Sequence, residues 1–422
     1  MISLAQARRF VLERVTVLDP VTMPLAEALG CVAAEAIVAT EPVPPFANTA
    51  MDGFAVRARD TVGAGTAPVR LELVGTLAAG SAFAGEIGPG QALRIMTGAP
   101  MPAGADAVVM VERTALVPAV AGDDGGVEAV LIGAPARPGD HVRPVGDDFG
   151  AGQQVLDVGV VLTPGHLGVL ASVGAADIAV VPRCRVGVLS TGDELVDDGR
   201  ALRPGQVRDS NRRILLALAA ESGFEPMDLG LVGDDAATIA EAIEHGVASC
   251  DALVTSGGVS MGDFDEVKGV LGRMSQDMAW MQVAIRPAKP LAFGTIAGVP
   301  VFGLPGNPVS SLVSFELFAR PALRLRSGHR HLDRLRLPAE TAEAFSRRPD
   351  GKTHFVRVVI GAGDSGRFYV RSAGGQGSHH LAAMAAANGL MTLPDGDGAR
   401  AGDQVEVMVL GEIDPWSPGP GS

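Results

Sequence analysis

Cysteine and long apolar runs are scarce in this chain of 422 residues. The three cysteines, Cys31, Cys184 and Cys250, stand far apart and form neither a zinc-ligand pattern nor a disulfide framework, which is typical of a reducing compartment. Glycine, proline or charge interrupts every apolar run well short of a membrane span, and the N-terminus has no continuous apolar stretch of the signal-peptide kind. These absences predict a soluble, cytoplasmic protein with no membrane partner.

Positive charge is also scarce. The chain has 34 Lys and Arg residues against 48 Asp and Glu residues, which gives a net charge of −14 at pH 7. This balance argues against a nucleic-acid partner, because such partners are held largely by cationic contacts to phosphate. It is compatible with a small anionic ligand, since such a ligand needs only a local group of donors.

The abundant residues predict a folded protein of several domains. Hydrophobic residues make up 47% of the chain and charged residues 19%, a balance typical of globular proteins. A length of 422 residues exceeds what one ordinary core accommodates. The 55 glycines and 29 prolines indicate many tight turns and much β structure outside any α/β region.

Changes of pattern along the chain predict four domains and a tail. In the first segment, Ser3 and Gln6 form a capping box that predicts a helix, and the pattern at 25–36 predicts a second short helix. The domains are a segmented N-terminal domain at 1–46 and 144–182, an inserted β domain at 47–143, an α/β domain at 183–328, a C-terminal β domain at 333–411 and a disordered tail at 412–422.

The α/β domain is predicted from a regular alternation of strand and helix patterns. Such β-α-β alternation predicts a parallel sheet with helices on both faces. The predicted strands lie at 186–189, 227–232, 252–255, 278–285, 291–293 and 299–303, and the predicted helices at 211–222, 236–248 and 308–325.

Polar loops follow the predicted strands, and ligands of open α/β sheets bind at the carboxyl ends of the strands. Glycines in these loops permit backbone conformations that other residues adopt only at a cost, and free N–H groups at a helix start can hold an anion. We therefore expect a phosphate or metal site at this edge. The loops contain Ser190-Thr191-Gly192-Asp193-Glu194, Gly233-Asp234-Asp235, Ser256-Gly257-Gly258 with Ser260, Asp263 and Asp265, and Pro305-Gly306-Asn307-Pro308 with Ser310.

The acids of these loops predict a bound cation. Asp193, Glu194, Asp234 or Asp235, and Asp265 would share one rim, where they would repel one another unless a positive charge lay between them. Mg²⁺ bridging to a substrate phosphate is the most economical solution, because it prefers oxygen ligands.

Basic side chains complete the predicted site. Lys268 follows the third loop, and Arg286 and Lys289 lie in the segment 286–290 with two prolines, Pro287 and Pro290. We expect these prolines to hold the segment extended, with the two basic groups presented to an anion.

Each motif taken singly has a simpler interpretation. The stretch 256–265 could be a glycine-rich turn with solvated acids, and Thr191-Gly192-Asp193 could be a plain turn. Asp235 could serve only as a helix cap, as could Ser378. Arg357 is predicted from its residue type alone to be a surface residue of its strand.

Seven motifs in order make the chain resemble one family. It resembles MoeA, the molybdenum-insertion protein family of molybdopterin molybdenumtransferases, which also includes the E domain of gephyrin. The resemblance runs from near the N-terminus to about residue 411. The motifs are TAMDGF at 49–54, RIMTGA at 94–99, STGDEL at 190–195, SGGVSMGDFD at 256–265, RPAKP at 286–290, PGNPVS at 305–310 and QGSH at 376–379.

The resemblance implies a fold, a reaction and partners. The family fold has a segmented first domain, an inserted β domain, a three-layer molybdopterin-binding α/β domain and a C-terminal β-barrel. It forms a homodimer whose active cleft lies where the α/β domain of one subunit faces the other subunit. The family reaction takes adenylylated molybdopterin and molybdate and gives molybdenum cofactor and AMP with a divalent cation such as Mg²⁺. Transient contacts with the molybdopterin adenylyltransferase and with chaperones of molybdenum enzymes are implied as well.

The loops and the matched motifs together assign roles to individual residues. The metal ligands are expected among Asp234, Asp235 and Asp265. The residues taken as catalytic are Asp52, Thr97, Glu194, Asp265, Lys268 and Lys289. The residues taken as substrate-binding are Thr191, Gly192, Asp193, Ser256, Gly257, Gly258, Ser260, Arg286, Pro305, Gly306, Asn307, Pro308, Ser310, Arg357 and Ser378.

The chain departs from the family pattern at three of these motif positions. Thr49 stands where the family more often has Ser, Phe54 where it has Tyr, and Arg286 where it has Lys. Arg286 keeps the charge and gains a bidentate geometry, which alters how tightly an oxyanion is held.

Two other functions are compatible with parts of the sequence. One is a pterin adenylyltransferase or pyrophosphatase built on the same α/β domain, which would not require the N-terminal and C-terminal domains. The other is a scaffold of the gephyrin kind that clusters membrane receptors, for which we would expect a fused partner domain or a long linker.

Overall fold

A computed structural model of the protein describes residues 1–118, 129–257 and 266–417. Among these residues, no helix is both long enough and apolar enough to span a membrane. Short 3-10 helices occur at Leu25–Glu27, Ala58–Gly65 and Val111–Arg113. The α-helices are α1 Leu4–Leu12, α2 Pro164–Ser172, α3 Asn211–Glu221, α4 Ala236–Ser249, α5 Glu266–Met274, α6 Pro308–Ser314, α7 Arg320–Arg326 and α8 Leu381–Ala385.

The first segment contains α1 and the strands β1 Val21–Pro24, β2 Val32–Ala33 and β3 Ile37–Val38. Ser3 caps α1 as predicted, because its side chain accepts from Gln6 N while the Gln6 side chain accepts from Ser3 N. The helix predicted at 25–36 is wrong. The 3-10 turn Leu25–Glu27 ends before Gly30, whose φ of +80° stops a helix, and β2 then pairs in a sheet.

Helix α1 packs on the α/β domain rather than on the segment that follows it. Ala7 and Val11 are buried in the same apolar core as side chains of that domain. Arg8 Nη1 donates to Leu317 O at 2.7 Å. The prediction that places residues 1–46 in the N-terminal domain therefore does not describe the packing of α1.

The inserted region contains β4 Asn48–Thr49, β5 Gly53–Val56, β6 Val69–Leu77, β7 Gln91–Ile95, β8 Ala107–Met110, β9 Thr114–Val117, β10 Ala129–Ile132 and β11 Val142–Arg143. Six of these strands form a sheet in the order β8-β5-β7-β6-β10-β9, with Phe54 and Leu71 in its core. Gly53 is required in β5, because a Cβ there would lie 2.2 Å from the carbonyl oxygen of Val109 on β8. The β character predicted for this region is confirmed.

The chain then returns to its first segment through β12 Gln154–Leu156, α2 and β13 Asp177–Val181. β13 lies between β1 and β2, and β12 pairs with β3, all antiparallel. Leu170 and Ile178 share a core with Ala28 of the first segment. The two segments are therefore held together by both backbone pairing and side-chain packing.

The α/β region contains β14 Arg185–Thr191, β15 Leu195–Val196, β16 Val207–Arg208, β17 Glu225–Val232, β18 Ala252–Ser256, β19 Ala279–Gln282, β20 Ile285–Arg286, β21 Pro290–Ile296 and β22 Val299–Leu304. Its main sheet has the order β17-β14-β18-β22-β21-β19. A π-helical turn, Phe315–Ala319, joins α6 to α7, so helical backbone is continuous across the predicted helix 308–325.

Helices cover both faces of this sheet, as predicted. On one face, Val254 and Phe302 pack with Leu215 of α3. On the other face, Leu253 and Val301 pack with Ile239 of α4, and buried side chains of α5 belong to the same core. Neighbouring residues of each strand therefore face different helical layers, which is the three-layer arrangement.

The sheet is mixed rather than fully parallel, which corrects the expectation from sequence. β17, β14, β18 and β22 are parallel, whereas β21 and β19 are antiparallel. β21 and β22 form a hairpin in which Ile296 pairs with Val299. The two loop residues, Ala297 and Gly298, have φ of +50° and +81°, the signs of a type I′ turn.

The C-terminal region is a closed barrel. Its strands are β23 Arg336–Thr341, β24 Phe345–Ser346, β25 Thr353–Ala362, β26 Phe368–Ser372, β27 Gly389–Leu393, β28 Gly398–Ala399, β29 Gln404–Val409 and β30 Asp414–Pro415. Pairing runs β25-β26-β23-β29-β27 and returns to β25, so five strands close on themselves. Val358, Val370, Met391 and Val407 are buried within it. The predicted β-barrel is confirmed.

The predicted tail is ordered in its first half. β30 pairs with β25, and Trp416 N donates to Ala362 O at 2.7 Å. The Trp416 ring lies 5.5 Å from that of Tyr369, centroid to centroid. Disorder from residue 412 onward is therefore wrong as far as Trp416, because backbone pairing and an aromatic contact hold the chain to the barrel.

A buried ion pair connects the α/β helices to the start of the barrel. Glu316 lies in the π-helical turn with a fully buried side chain. Arg334 Nε and Nη2 donate to its two carboxylate oxygens at 2.7 and 2.8 Å. Because both oxygens are paired with one guanidinium, the carboxylate is stabilised despite its burial.

Replacing Glu316 with Gln should destabilise the protein by on the order of 3 kcal/mol, because it leaves the largely buried Arg334 guanidinium with only the exposed Glu221 carboxylate, 3.6 Å away, as its counter-charge. Denaturant unfolding followed by circular dichroism measures the loss. The matched control is Glu406→Gln, which breaks the exposed Arg336–Glu406 pair and should cost less than about 1 kcal/mol. Equal losses in the two variants would contradict this assignment.

Candidate functional site

A cavity of about 330 Å³ lies at the carboxyl ends of the parallel strands. β14, β18 and β22 are neighbours, and Ser256 pairs with Ser190 on one side and with Leu304 on the other. The loops that leave these strands therefore open at the same edge, as predicted. The cavity is lined by Thr191, Glu194, Leu195, Val207, Arg208, Asp209, Ser210, Asn211, Ser256, Gly257, Gly306, Asn307 and Pro308.

Seven of the predicted substrate-binding or catalytic residues line this cavity. Gly192 allows one of them, Glu194, to fold back over its own loop, because a Cβ at Gly192 would lie 2.5 Å from Glu194 Oε2. The seven are Thr191, Glu194, Ser256, Gly257, Gly306, Asn307 and Pro308. Gly258, Ser260 and Asp265 lie outside the described residues.

The backbone donors at the cavity differ from the prediction. Gly257 N donates to Leu304 O at 3.0 Å, so this N–H is used between strands and does not face an anion. The N–H groups of Gly306 and Asn307 donate no hydrogen bond to a described residue. An anion in the cavity would therefore find its backbone donors in the loop after β22 rather than at Gly257.

The acidic rim is only partly assembled among the described residues. Asp193 N donates to Asp234 Oδ2 at 3.3 Å, and Asp234 N donates to Asp193 Oδ1 at 3.1 Å, so these two loops are tied together. No group of three or more His, Cys, Asp or Glu residues in the described ranges is placed to hold a metal ion. The oxygen donors of Asp193 and Asp234 suit a hard cation, but the third predicted ligand, Asp265, lies outside those ranges.

Asp235 is engaged elsewhere. It is the N-cap of α4, and its Oδ2 accepts from Thr238 N at 2.9 Å and from Thr238 Oγ1 at 2.8 Å. These two hydrogen bonds, backbone first, lower the pKa of the Asp235 carboxyl. The capping alternative therefore accounts for Asp235, and Asp234 is the acid of this pair that faces Asp193.

A polar network behind the cavity was not predicted. Asp209 Oδ1 accepts from Ser190 Oγ at 3.1 Å and from Arg212 N at 3.2 Å. The Arg212 side chain, only 4% exposed, also pairs with Asp209, Asp228 and Asp197. The sequence has a weak signal for it, since polar residues at 208–210 directly precede the predicted helix 211–222.

A second cavity of about 470 Å³ lies where the α/β domain meets the barrel. Arg286 lines this cavity and not the first one. Ala288 has φ of +70°, so the segment 286–290 turns rather than running extended as predicted. Other residues that line the cavity include Arg347, Arg348, Asp350, His354 and Gln376.

Arg357 is fully buried, which corrects its prediction as a surface residue. Its Nη2 donates to Gly375 O at 2.8 Å and to Gly377 O at 3.2 Å, and burial lowers the pKa of its guanidinium. Its position on β25 faces the loop that carries Ser378 rather than solvent. The prediction from residue type was wrong because the loop that covers Arg357 lies about twenty residues later in the sequence.

Ser378 is not the cap of α8, whose N-cap position is His380. The Ser378 carbonyl instead accepts from Val309 N at 3.2 Å, at the start of α6. The barrel loop is thus fixed to the helix that carries Ser310, and the predicted oxyanion residues Ser310, Arg357 and Ser378 belong to one junction.

The predicted lysines lie apart from the first cavity. Lys268 Nζ lies 5.5 Å from the ring centroid of Trp280. Lys289 O accepts from Val283 N at 2.8 Å, which holds the turn after Arg286. Neither lysine lines the cavity at the strand ends.

The inserted domain brings two of its motifs together. β5 and β7 are paired, and Asp52 Oδ1 accepts from Thr97 Oγ1 at 2.6 Å and from Thr97 N at 2.7 Å. The two bonds, the hydroxyl first, lower the pKa of the Asp52 carboxyl. Asp52 and Thr97 line neither of the two cavities described above.

The fold and the cavities define a multidomain protein with a ligand-sized cleft at the carboxyl edge of an α/β domain. Three family models match it in order: the MoeA N-terminal region (domain I and II) at 2–174, a probable molybdopterin binding domain at 187–325, and the MoeA C-terminal region (domain IV) at 339–410. The chain belongs to the MoeA family.

Curated relatives agree over the full length of the chain. Molybdopterin molybdenumtransferase 2 of Mycobacterium tuberculosis is 39% identical and covers 99% of each chain. The molybdopterin molybdenumtransferase of Haemophilus influenzae is 36% identical over 96% of this chain and 98% of its own. A solved MoeA structure from a Pyrococcus species has a TM-score of 0.76 at 32% identity, covering 98% of this chain and all of that one.

Replacing Thr97 with Val should raise the pKa of Asp52 toward the ordinary carboxyl range, because it removes the hydroxyl donor and leaves the backbone donor. Carbon-13 NMR titration of the carboxyl group measures the change. Asp235, which has the same two kinds of donor from Thr238, serves as an internal control and should titrate as in the wild type. An unshifted Asp52 in the variant would show that the hydroxyl does not set its charge.

Proposed function

We propose that this protein inserts molybdate into adenylylated molybdopterin, releasing AMP and giving molybdenum cofactor. The shared name of its full-length relatives, molybdopterin molybdenumtransferase, supports this reaction. The observation that carries it is the cavity at the strand ends, where residues of three matched motifs, at 190–195, 256–265 and 305–310, converge.

The cavity suits the phosphate-bearing end of the pterin. Its lining includes the Ser256 hydroxyl and the loop of Gly306 and Asn307, whose N–H groups donate to no described residue. These donors would hold phosphate oxygens and place the phosphoanhydride at the rim that carries Asp193 and Asp234.

A divalent cation such as Mg²⁺ fits the acids of this rim. Asp234, together with Asp265, would hold the ion, and the ion would neutralise charge on the phosphates. Asp235 would contribute indirectly by capping α4 and so fixing the loop that carries Asp234.

Molybdate is expected at the junction of the α/β domain and the barrel. Arg286 lines the cavity there, and Arg357 is buried beside the Ser378 loop, which is tied to α6 next to Ser310. Molybdate is a tetrahedral dianion, and guanidinium groups hold such anions well. The dithiolene sulfurs that receive the metal belong to the substrate, so no protein thiol is required; Cys31, Cys184 and Cys250 are buried free thiols.

The working form is proposed to be a cytoplasmic homodimer. Asp52 and Thr97 are held together but line neither cavity of their own chain, which suits a role across a subunit interface. Transient contacts with the molybdopterin adenylyltransferase and with chaperones of molybdenum enzymes would supply the substrate and accept the product.

Incubating the protein with adenylylated molybdopterin, molybdate and Mg²⁺ should release AMP and load molybdenum in equal amounts. AMP is followed by chromatography and molybdenum by mass spectrometry. MgATP with molybdopterin provides the comparison, because an adenylyltransferase would consume ATP instead. Consumption of ATP without transfer of molybdenum would overturn the proposed function.

Asp234→Asn should lower the rate of AMP release by about tenfold or more, since an acid next to a phosphate-bound cation contributes several kcal/mol of charge stabilisation. Asp235→Asn is the matched control, because Asn is as good an N-cap as Asp and should preserve the loop. A larger loss in Asp235→Asn than in Asp234→Asn would reverse the assignment of the two acids.

A further inference from the structure

Asn211 links two loops of the cavity at the strand ends. It is the first residue of α3, is only 8% exposed, and lies in the cavity wall. Its Nδ2 lies 2.7 Å from Ser256 Oγ, at the end of β18, and 2.7 Å from Gly306 O, in the loop after β22. One amide group therefore joins segments that are 45 and 95 residues away from it in sequence.

The chemistry of these contacts fixes the direction of both hydrogen bonds. The Gly306 carbonyl can only accept, so the amide of Asn211 must present its nitrogen to it. The second N–H of the same nitrogen then points at Ser256 Oγ, which accepts it. Because the Ser256 oxygen accepts there, its own proton must be directed elsewhere.

The Ser256 hydroxyl lies in the wall of the cavity. Among the described residues, no acceptor forms a hydrogen bond with the hydroxyl proton. Ser256 is 3% exposed and lines the cavity beside Gly257. A ligand group that reaches Ser256 therefore meets a donor, and an acceptor such as a phosphate oxygen is the group that fits it.

The surroundings hold Asn211 firmly in this orientation. Asp209, two residues earlier, accepts from Ser190 Oγ and from Arg212, which fixes the start of α3 against β14. Asn211 Oδ1 is buried and accepts no hydrogen bond from a described residue.

We propose that Asn211 is a positioning residue that makes Ser256 a hydrogen-bond donor to a phosphate oxygen of the ligand in this cavity. It does so by using both of its N–H groups, one on Ser256 and one on the loop of Gly306. The identity of the ligand, the phosphate ester of a pterin, rests on the proposed function. The donor role of Ser256 rests on the hydrogen bonds of this chain.

Binding of adenylylated molybdopterin to the wild type, Asn211→Ala, Ser256→Ala and the double variant tests the proposal. Ser256→Ala removes the donor and should bind roughly ten- to a hundredfold more weakly, the range for a lost hydrogen bond to a charged group. Asn211→Ala keeps the hydroxyl but no longer orients it, so its loss should be smaller. The double variant should bind like Ser256→Ala, because orienting the hydroxyl has no effect once the hydroxyl is gone. With a dephosphorylated pterin, which lacks the acceptor, the four proteins should bind alike.

The matched control is Asn388→Ala. Asn388 makes comparable hydrogen bonds in the barrel, where its Nδ2 donates to Ile360 O at 2.9 Å and to Glu412 O at 2.7 Å, and it does not line the cavity. It should lower the unfolding temperature and leave ligand binding unchanged. Losses that multiply in the double variant, or that persist with the dephosphorylated pterin, would overturn the role of Asn211 while leaving the proposed function standing. A wild type that does not bind adenylylated molybdopterin would overturn both.

Discussion

The pairing of three parallel strands determines where this protein can hold a ligand. Ser190, Ser256 and Leu304 lie side by side in β14, β18 and β22, so the chain leaves the sheet at one edge three times. The helices that follow must cover the faces of the sheet, because its strands are buried on both sides. The polar loops consequently lie at the edge of the sheet, where they form the wall of the cavity.

Buried arginines then join the separate parts of the chain around this edge. Arg212 fixes the start of α3, Arg334 pairs with Glu316 between the α/β helices and the barrel, and Arg357 holds the loop of the Ser378 junction. Each guanidinium is largely buried, and carboxylate or carbonyl oxygens accept hydrogen bonds from it, which offsets part of the cost of burial. These contacts join the elements that surround the two cavities.

Local patterns in the sequence were sufficient for much of this architecture. The capping box at Ser3, the strand and helix alternation of the α/β domain and the polar loops after its strands depend on nearby residues, and the structure has them. Predictions failed where a distant partner decides the outcome. The helix at 25–36 gives way to pairing of β2 with β13, and Arg357 is covered by a loop about twenty residues later.

The residues of the site also divide into those predicted from local patterns and those that depend on distant partners. Thr191, Glu194 and Ser256 were identified because glycines, hydroxyls and acids follow a buried strand, whereas Asn211 was missed because its partners are far away in sequence. Asp235 shows a local signal that the structure bears out, because a cap depends on a residue only three positions away and Asp235 Oδ2 accepts from Thr238 N.

The central claim is that the cavity at the strand ends, and not the one beside Arg286, holds the pterin phosphate. A crystal structure of the protein with bound molybdopterin tests it most directly. We predict the phosphate beside Ser256 and the loop of Gly306 and Asn307. A phosphate bound among Arg286, Arg347 and Arg348 at the barrel junction would contradict it.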